Sequence, residues 1–461
     1  MEFLQIKGGN PLEGSVKASG AKNAITKMLV ASLLSDKKCV FHNVPNIIEV
    51  EVTVELCQEI GMEVFWDKTL ATMEVQTKEL KSCYVPQRLS GRNRIPILMI
   101  GALLGRTNED IIVPAQGGCN IGKRPVNFHI AALEKLGASV EFRKMKKEGA
   151  YIACAHHGLT GAHIRLDYPS VGATENTMLA ACRAKGKTVI QNAAVEPEII
   201  DLILFLQKLG VNIHVDSNRT IVIEETKTFY EVEHHVLTDR IEAASLAMAG
   251  IGTKGRVFVE GARQDHMIIF LNKLREIGGG FDVKKNGIEF YYKGPLKAGV
   301  HIETDVHPGF LTDWQQPFVT LLTQAKGASV IHETVYENRF GYLETLKEMG
   351  ADAELFKECL GGRSCRFNAQ NHYHSAVIKG PTKLSGRKIK IPDLRAGYAY
   401  VLAALIAEDT SEIHNLYYLD RGYEQIDKKL ASLGADIQRK TTSSKKAQET
   451  LEELMLIKNT L

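Results

Sequence analysis

The sequence predicts an α/β fold of two domains, built from six copies of one unit of roughly 70 residues, and two recurring features predict it. The first is Leu133-Glu134-Lys135-Leu136-Gly137-Ala138-Ser139-Val140, where an apolar helical pattern stops at a glycine and passes into a strand-like stretch. Five related segments turn at Gly61, Gly210, Gly278, Gly350 and Gly434, and with Gly137 the intervals along the chain are 76, 73, 68, 72 and 84 residues. Glycine suits the left-handed position that closes a helix. The second feature lies between these marks: a helix of small residues followed by a β-branched strand. It recurs at 21–34 with 39–43, 94–104 with 111–114, and 174–184 with 188–192. It returns at 241–250 with 256–260, 314–324 with 329–332, and 396–406 with 411–415. Units with one-sided helices need partners, so they pack in groups. Three units per domain, with a boundary near 236–238, is the natural division, and the cleft between the domains is the default ligand site.

Each remaining property narrows the class. A chain of 461 residues exceeds one ordinary core. Its 44% hydrophobic and 24% charged residues are those of a globular protein. A net charge of +3, without long runs of Lys or Arg, does not predict nucleic-acid binding. The N-terminus lacks a basic flank and apolar stretch, the longest apolar run (95–104) is about half a bilayer span, and eight scattered cysteines fit reduced thiols. A cytoplasmic protein is expected. The group Cys359, Cys365, His372 and His374 has a spacing that matches none of the usual zinc patterns, so it reads as an inserted surface loop and no metal is expected.

Several helices begin with a cation, against the macrodipole. Lys22, Arg92, Arg94, Arg240 and Arg395 stand at first helices, and Arg124, Arg263, Arg339 and Arg421 at second ones. Adjacent Asp239, Asp393 and Asp420 could neutralise them singly as caps. As a set they predict helix N-termini converging on a polyanionic ligand. At Asp313 a carboxylate replaces the cation, either as a cap or as a base toward a hydroxyl or carbon acid.

The loop 114–125, Pro-Ala-Gln-Gly-Gly-Cys-Asn-Ile-Gly-Lys-Arg-Pro, sets Cys119 between glycines and near Lys123 and Arg124. Cationic neighbours and a helix start favour a reactive thiolate on a pliable lid. Such a thiol serves as a nucleophile or as a proton donor.

These residues resemble the UDP-N-acetylglucosamine enolpyruvyl transferase (1-carboxyvinyltransferase) family from about residue 8 to 437. The likeness rests on Ser19-Gly-Ala-Lys22-Asn23-Ala24, Gly117-Gly-Cys119-Asn-Ile-Gly-Lys-Arg124-Pro-Val126, Ser170-Val-Gly-Ala-Thr174, Glu196-Pro-Glu198 and Asp239-Arg240-Ile-Glu242. Further on it rests on Thr312-Asp313, Glu337-Asn-Arg339-Phe340, Asp393-Leu-Arg395 and Asp420-Arg421-Gly-Tyr-Glu424. The resemblance implies an inside-out α/β barrel pair, with domain 1 at 22–237 and domain 2 at 1–21 plus 238–461. It implies that the sugar 3′-hydroxyl adds to C2 of phosphoenolpyruvate while C3 is protonated, and that phosphate then leaves. Cys119 would supply the proton and could form a covalent adduct with phosphoenolpyruvate, and would be the thiol alkylated by fosfomycin; Asp313 would be the base that handles the 3′-hydroxyl or the C3 proton. Lys22, Asn23, Arg124, Arg395 and Arg421 would hold phosphoenolpyruvate. Asn23, Arg92, Arg124, Pro125, Val126, Asn127, Phe128, Ser170, Val171, Gly172, Asp313 and Val335 would contact the nucleotide sugar. No metal, organic cofactor, nucleic acid, membrane or obligate protein partner is implied; cations with a positioned acid and base suffice.

The chain departs from the family pattern in places. Ala115-Gln116 reads as an insertion, Tyr168 stands where a lysine is usual near the diphosphate, Arg94 and Pro96 are unusual after Arg92, and 362–376 and the tail beyond 440 read as additions. In the tail, Leu451, Leu454 and Lys458 suggest a short helix. A paralogue with another acceptor sugar is one alternative, and a catalytically silent anion-binding protein is another. A shikimate 3-phosphate enolpyruvyl transferase is a third, disfavoured by Cys119.

Overall fold

The computed structural model describes residues 2–89, 91–115, 125–144, 149–362 and 365–441; Cys119, Arg124 and the tail segment with Leu451, Leu454 and Lys458 lie outside them. The six repeat glycines all adopt left-handed backbone, with φ from 89° at Gly278 to 118° at Gly61. A side chain there would strain the turn that ends each outer helix.

The described residues form six small sheets, and five share one strand plan. An edge strand runs parallel to a central strand, and two antiparallel strands complete the sheet. Val232–His235 lies beside Cys39–His42 in this way, followed by Thr72–Gln76 and Glu63–Asp67. The same parallel pairing joins His163–Arg165 to Lys187–Gln191, Glu13–Lys17 to Arg256–Glu260, His301–Glu303 to Gly327–His332, and Lys388–Lys390 to Thr410–His414. In the remaining sheet, around Ile111–Pro114, the parallel edge is reduced to a bridge between Tyr84 and Ile112. Several central strands end in a left-handed asparagine. The side-chain amides of Asn43, Asn192 and Asn415 donate to the carbonyls of Val236, Leu166 and Ile391, so one turn device recurs in three units.

Each unit sends one helix to the centre. Lys22–Ala31, Pro96–Leu103 and Val171–Ala181 belong to one group; Arg240–Gly252, Thr312–Leu322 and Leu394–Ile406 belong to the other and pack on one another. They are buried nearly all round, with the sheets outside them. Small residues permit this: a Cβ at Gly101 would come within 2.3 Å of Asn176 Oδ1, and the Gly101 N–H donates to that same oxygen at 2.9 Å. Three helices begin one to three residues before the apolar pattern does, where polar caps extend them. Ser170, Asp239 and Asp393 accept from backbone N–H groups in the first turns.

Buried apolar residues gather in two cores. One draws on residues 21–236, the other on 4–18 together with 241–437. Strand Glu2–Lys7 thus lies between Thr410–His414 and Asp436–Thr441. No helix among the described residues is long and apolar enough to cross a membrane.

Candidate active site

Between the two cores lies a cavity of about 560 Å³ lined from both sides. Of the nine helix-start cations, Lys22, Arg94, Arg240, Arg339, Arg395 and Arg421 line it. Arg124 lies outside the described residues. Arg92 is turned away onto Glu55 at 2.7 Å, and Arg263 pairs with exposed Asp265, so for Arg263 local neutralisation is the correct reading. Asn23, Pro125, Phe128, Ser170, Val171, Gly172, Asp313 and Val335 also line the cavity, whereas Val126 and Asn127 do not. Val126 instead caps the helix Asn127–Lys135, and its half-buried side chain packs against the first core. The Cys119 loop leaves the described chain after Ala115 and returns at Pro125, on the cavity wall.

The cleft is not a ring of cations around one carboxylate, as the sequence suggests. Among the described lining residues, Lys22, Lys27, Arg94, Arg240, Arg339, Arg366, Arg395 and Arg421 face eight acids: Glu49, Glu175, Glu196, Glu198, Asp305, Asp313, Glu337 and Asp393. A guanidinium withdrawn from water needs a compensating charge, and these acids supply it. Arg240 makes a two-pronged bond to Glu198, at 2.9 and 3.0 Å, with both side chains buried. Arg421 holds Glu49 Oε2 through Nε at 2.9 Å and through Nη2 at 2.7 Å. Both pairs join the two cores across the cleft.

Asp313 is the centre of this lattice. It occupies the second position of Thr312–Leu322, where Leu311 is the cap, so Asp313 is not a simple N-cap. Its Oδ1 accepts from Arg395 Nε and Arg339 Nη2, each at 3.1 Å. Burial works against its charge, but Arg395, Arg339 and Lys22 outweigh burial and hold the carboxyl down at about 2. Lys22 is pushed below the usual lysine range, first by burial, opposed by Glu49, and then by Arg395, Lys27 and Arg421. The helix start positions Thr312 as well: its hydroxyl donates to Glu333 at 2.9 Å, and that carboxylate also accepts from Val335 N and Tyr336 N.

Three acids on the wall escaped sequence reasoning as site residues. Glu175 is 2% exposed, and burial pushes it up to about 7 against the pull of Lys27, whose ammonium is 3.9 Å away. Glu196 is also raised by burial, and its Oε2 has no hydrogen bond. Glu198 is the partner of Arg240. The spacing of Glu196 and Glu198 gave no signal of its own, because a proline at the first helical position with acids around it is an ordinary helix start. Arg366, from the segment that reads as an addition, stacks 4.9 Å from the ring of Tyr168 and so brings a guanidinium to that part of the wall.

Comparisons with known proteins agree with this architecture. A family model for EPSP synthase (3-phosphoshikimate 1-carboxyvinyltransferase) matches residues 6–430. The enolpyruvyl transferase NikO from Streptomyces tendae superposes with a TM-score of 0.83 at 23% identity, covering 96% of this chain and 99% of that one. EPSP synthase from Acinetobacter baumannii superposes at 0.73 with 16% identity, over 96% and 100% of the two chains. The UDP-N-acetylglucosamine 1-carboxyvinyltransferase of Protochlamydia amoebophila is 69% identical over 437 residues, 95% of this chain and 94% of its own length. That of Chlamydia abortus is 57% identical over 439 residues, 95% and 98%. The chain belongs to the EPSP synthase family of enolpyruvyl transferases, and within it to the UDP-N-acetylglucosamine 1-carboxyvinyltransferases. It is an α/β transferase with the enolpyruvyl transferase fold.

Proposed function

We propose that the chain transfers the enolpyruvyl group of phosphoenolpyruvate to the 3′-hydroxyl of UDP-N-acetylglucosamine, releasing phosphate, as the first committed step of peptidoglycan synthesis in the cytoplasm. The reading is carried by Asp313, Arg395, Lys22 and Arg421 meeting in one cavity of a chain 69% identical to an enzyme of that name. On this reading 22–237 and 1–21 plus 238–461 act as two domains that close on the substrates.

In this lattice Arg395 and Arg421 are held by internal acids, Asp313 and Glu49, that a substrate anion can replace. The phosphate and carboxylate of phosphoenolpyruvate would take up Lys22, Arg395 and Arg421, with Arg124 and Asn23 beside them. Asp313 near 2 is too weak a base to draw a proton from a sugar hydroxyl. Once Arg395 turns to the incoming anion, Asp313 loses its strongest cationic partner and its basicity rises. It then takes the 3′-hydroxyl proton as the oxygen bonds to C2, while a proton reaches C3 from the Cys119 thiol. Phosphate then leaves C2, taking up the proton held by Asp313, and a C3 proton returns to the Cys119 thiolate as the double bond forms again in the product. The wall at Ser170 to Gly172, Phe128 and Val335, reinforced by Arg366, would receive the nucleotide sugar.

The test is phosphate release from phosphoenolpyruvate. It is expected with UDP-N-acetylglucosamine and not with shikimate 3-phosphate. Release with another acceptor alone sinks the assignment.

A further inference from the structure

The fold brings together four side chains that the cavity does not use. The sequence grouping of Cys359 and Cys365 with His372 and His374 omits the residue that completes the set. His332 takes the place of the His372 ring, and the potential ligand atoms of His332, Cys359, Cys365 and His374 all lie within 4.8 Å of one another. Cys359 Sγ is already 3.3 Å from His374 Nε2. A tetrahedral ion with bonds of about 2.0–2.3 Å sets its ligand atoms roughly 3.3–3.8 Å apart.

Three further details point to a ligand. His332 is fully buried, its Nδ1 is 2.9 Å from the Ser375 hydroxyl, and its Nε2 has no hydrogen bond. The Ser375 hydroxyl itself donates to the Glu358 carbonyl, so its oxygen is free to accept from Nδ1–H and leaves the Nε2 lone pair bare. His374 is oriented alike: Nδ1 meets the His372 carbonyl at 2.8 Å, which directs the Nε2 lone pair toward Cys359. Metal-binding histidines are held by such outer contacts. The Phe367 N–H also points at Cys365 Sγ, at 3.3 Å. Sheet register fixes the placement: His332 ends the strand Gly327–His332 opposite Ser375, His374 immediately precedes Ser375–Gly380, and Cys359 follows Asp352–Phe356.

We infer that His332, Cys359, Cys365 and His374 form a structural zinc site, two thiolates and two imidazoles closing a tetrahedron with no open position. Two soft sulfur and two imidazole ligands suit zinc among common divalent ions. The ion would pin the added segment, setting Arg366 and Phe367 on the cavity wall and steadying Glu333, which follows His332 and holds Thr312 next to Asp313. This effect on the acceptor pocket rests on the function proposed above; the metal content does not.

Untagged protein, incubated with zinc sulfate and desalted, is expected to hold about one zinc per chain by plasma mass spectrometry. The Cys359→Ser/Cys365→Ser double variant should retain under about a tenth of that. Cys154→Ser, which removes the thiol of the other candidate group at Asp110, Cys154 and His156, should retain it all. Ser375→Ala should weaken zinc binding about 10- to 100-fold. Cobalt(II) bound to the wild-type chain should show the intense visible bands of a tetrahedral thiolate site, whether or not the variants fold. Wild-type protein holding under about a tenth of an equivalent overturns the inference, as does zinc lost from Cys154→Ser instead, or a Cys359–Cys365 disulfide in fresh protein.

Discussion

At the scale of single residues, the site keeps its charges in a state that substrate must rearrange. Asp313→Asn is expected to lower kcat about 100- to 10,000-fold. KM for phosphoenolpyruvate should stay unchanged or fall, since Arg395 and Arg339 lose their internal competitor; a variant defective only in KM would contradict the base role. The same carboxylate links the fold to pH. Its folded value of about 2 lies below the ordinary 3.8, so its stabilisation is present above the ordinary value and is lost as pH falls through the folded one. Glu175 has the opposite sign. Raised to about 7 chiefly by burial, it favours the fold fully below the ordinary 4.5 and loses that advantage as pH rises through 7. Glu175→Gln should therefore stabilise the chain at pH 8 by on the order of 1–3 kcal/mol and change little at pH 4. Thermal unfolding at the two pH values measures the difference.

At the scale of elements, the helices at the centre depend on close approach. Gly101→Ala should destabilise by about 1–3 kcal/mol, because the added methyl would meet both the side chain and the backbone of Asn176. Denaturant unfolding checks it. The repeat itself was open to reading because each unit marks its end with a left-handed glycine, a local requirement visible without any contact. The helix starts were legible only in part. Lys22, Arg395 and Arg421 could be picked out as cations at helix ends, but the acids that pair with Arg395 and Arg421 come from other units: Asp313 reaches Arg395 from 82 positions away and Glu49 reaches Arg421 from 372. No periodicity records such a pairing. His332 was missed for the same reason, since it joins Cys359 and His374 through strand register and not through spacing. Arg92 reads like its neighbour Arg94, and only the orientation of the turn before Pro96–Leu103 sends it to Glu55 instead of the cavity.

At the scale of the whole molecule, the two cores are latched by ion pairs that also line the cavity. Arg240→Ala leaves Glu198 buried without its partner and should cost about 3–5 kcal/mol. Removing both, as Arg240→Met with Glu198→Met, should recover most of that loss; chemical denaturation of the two variants beside the parent chain decides it. Because Glu49 and Arg421 form a second latch, an anion that takes Arg421 would replace that link between the cores, so occupancy of the cavity and the contact between the cores depend on one guanidinium. The strands Glu2–Lys7 and Glu13–Lys17 add an asymmetry in time. As the chain leaves the ribosome, the core of residues 21–236 has all its parts early, whereas Glu13–Lys17 must wait for Arg256–Glu260 and Glu2–Lys7 must wait for the strands near 410 and 441. The half begun first is finished second, and its opening strands present unpaired backbone to the wrong neighbour until their partners arrive.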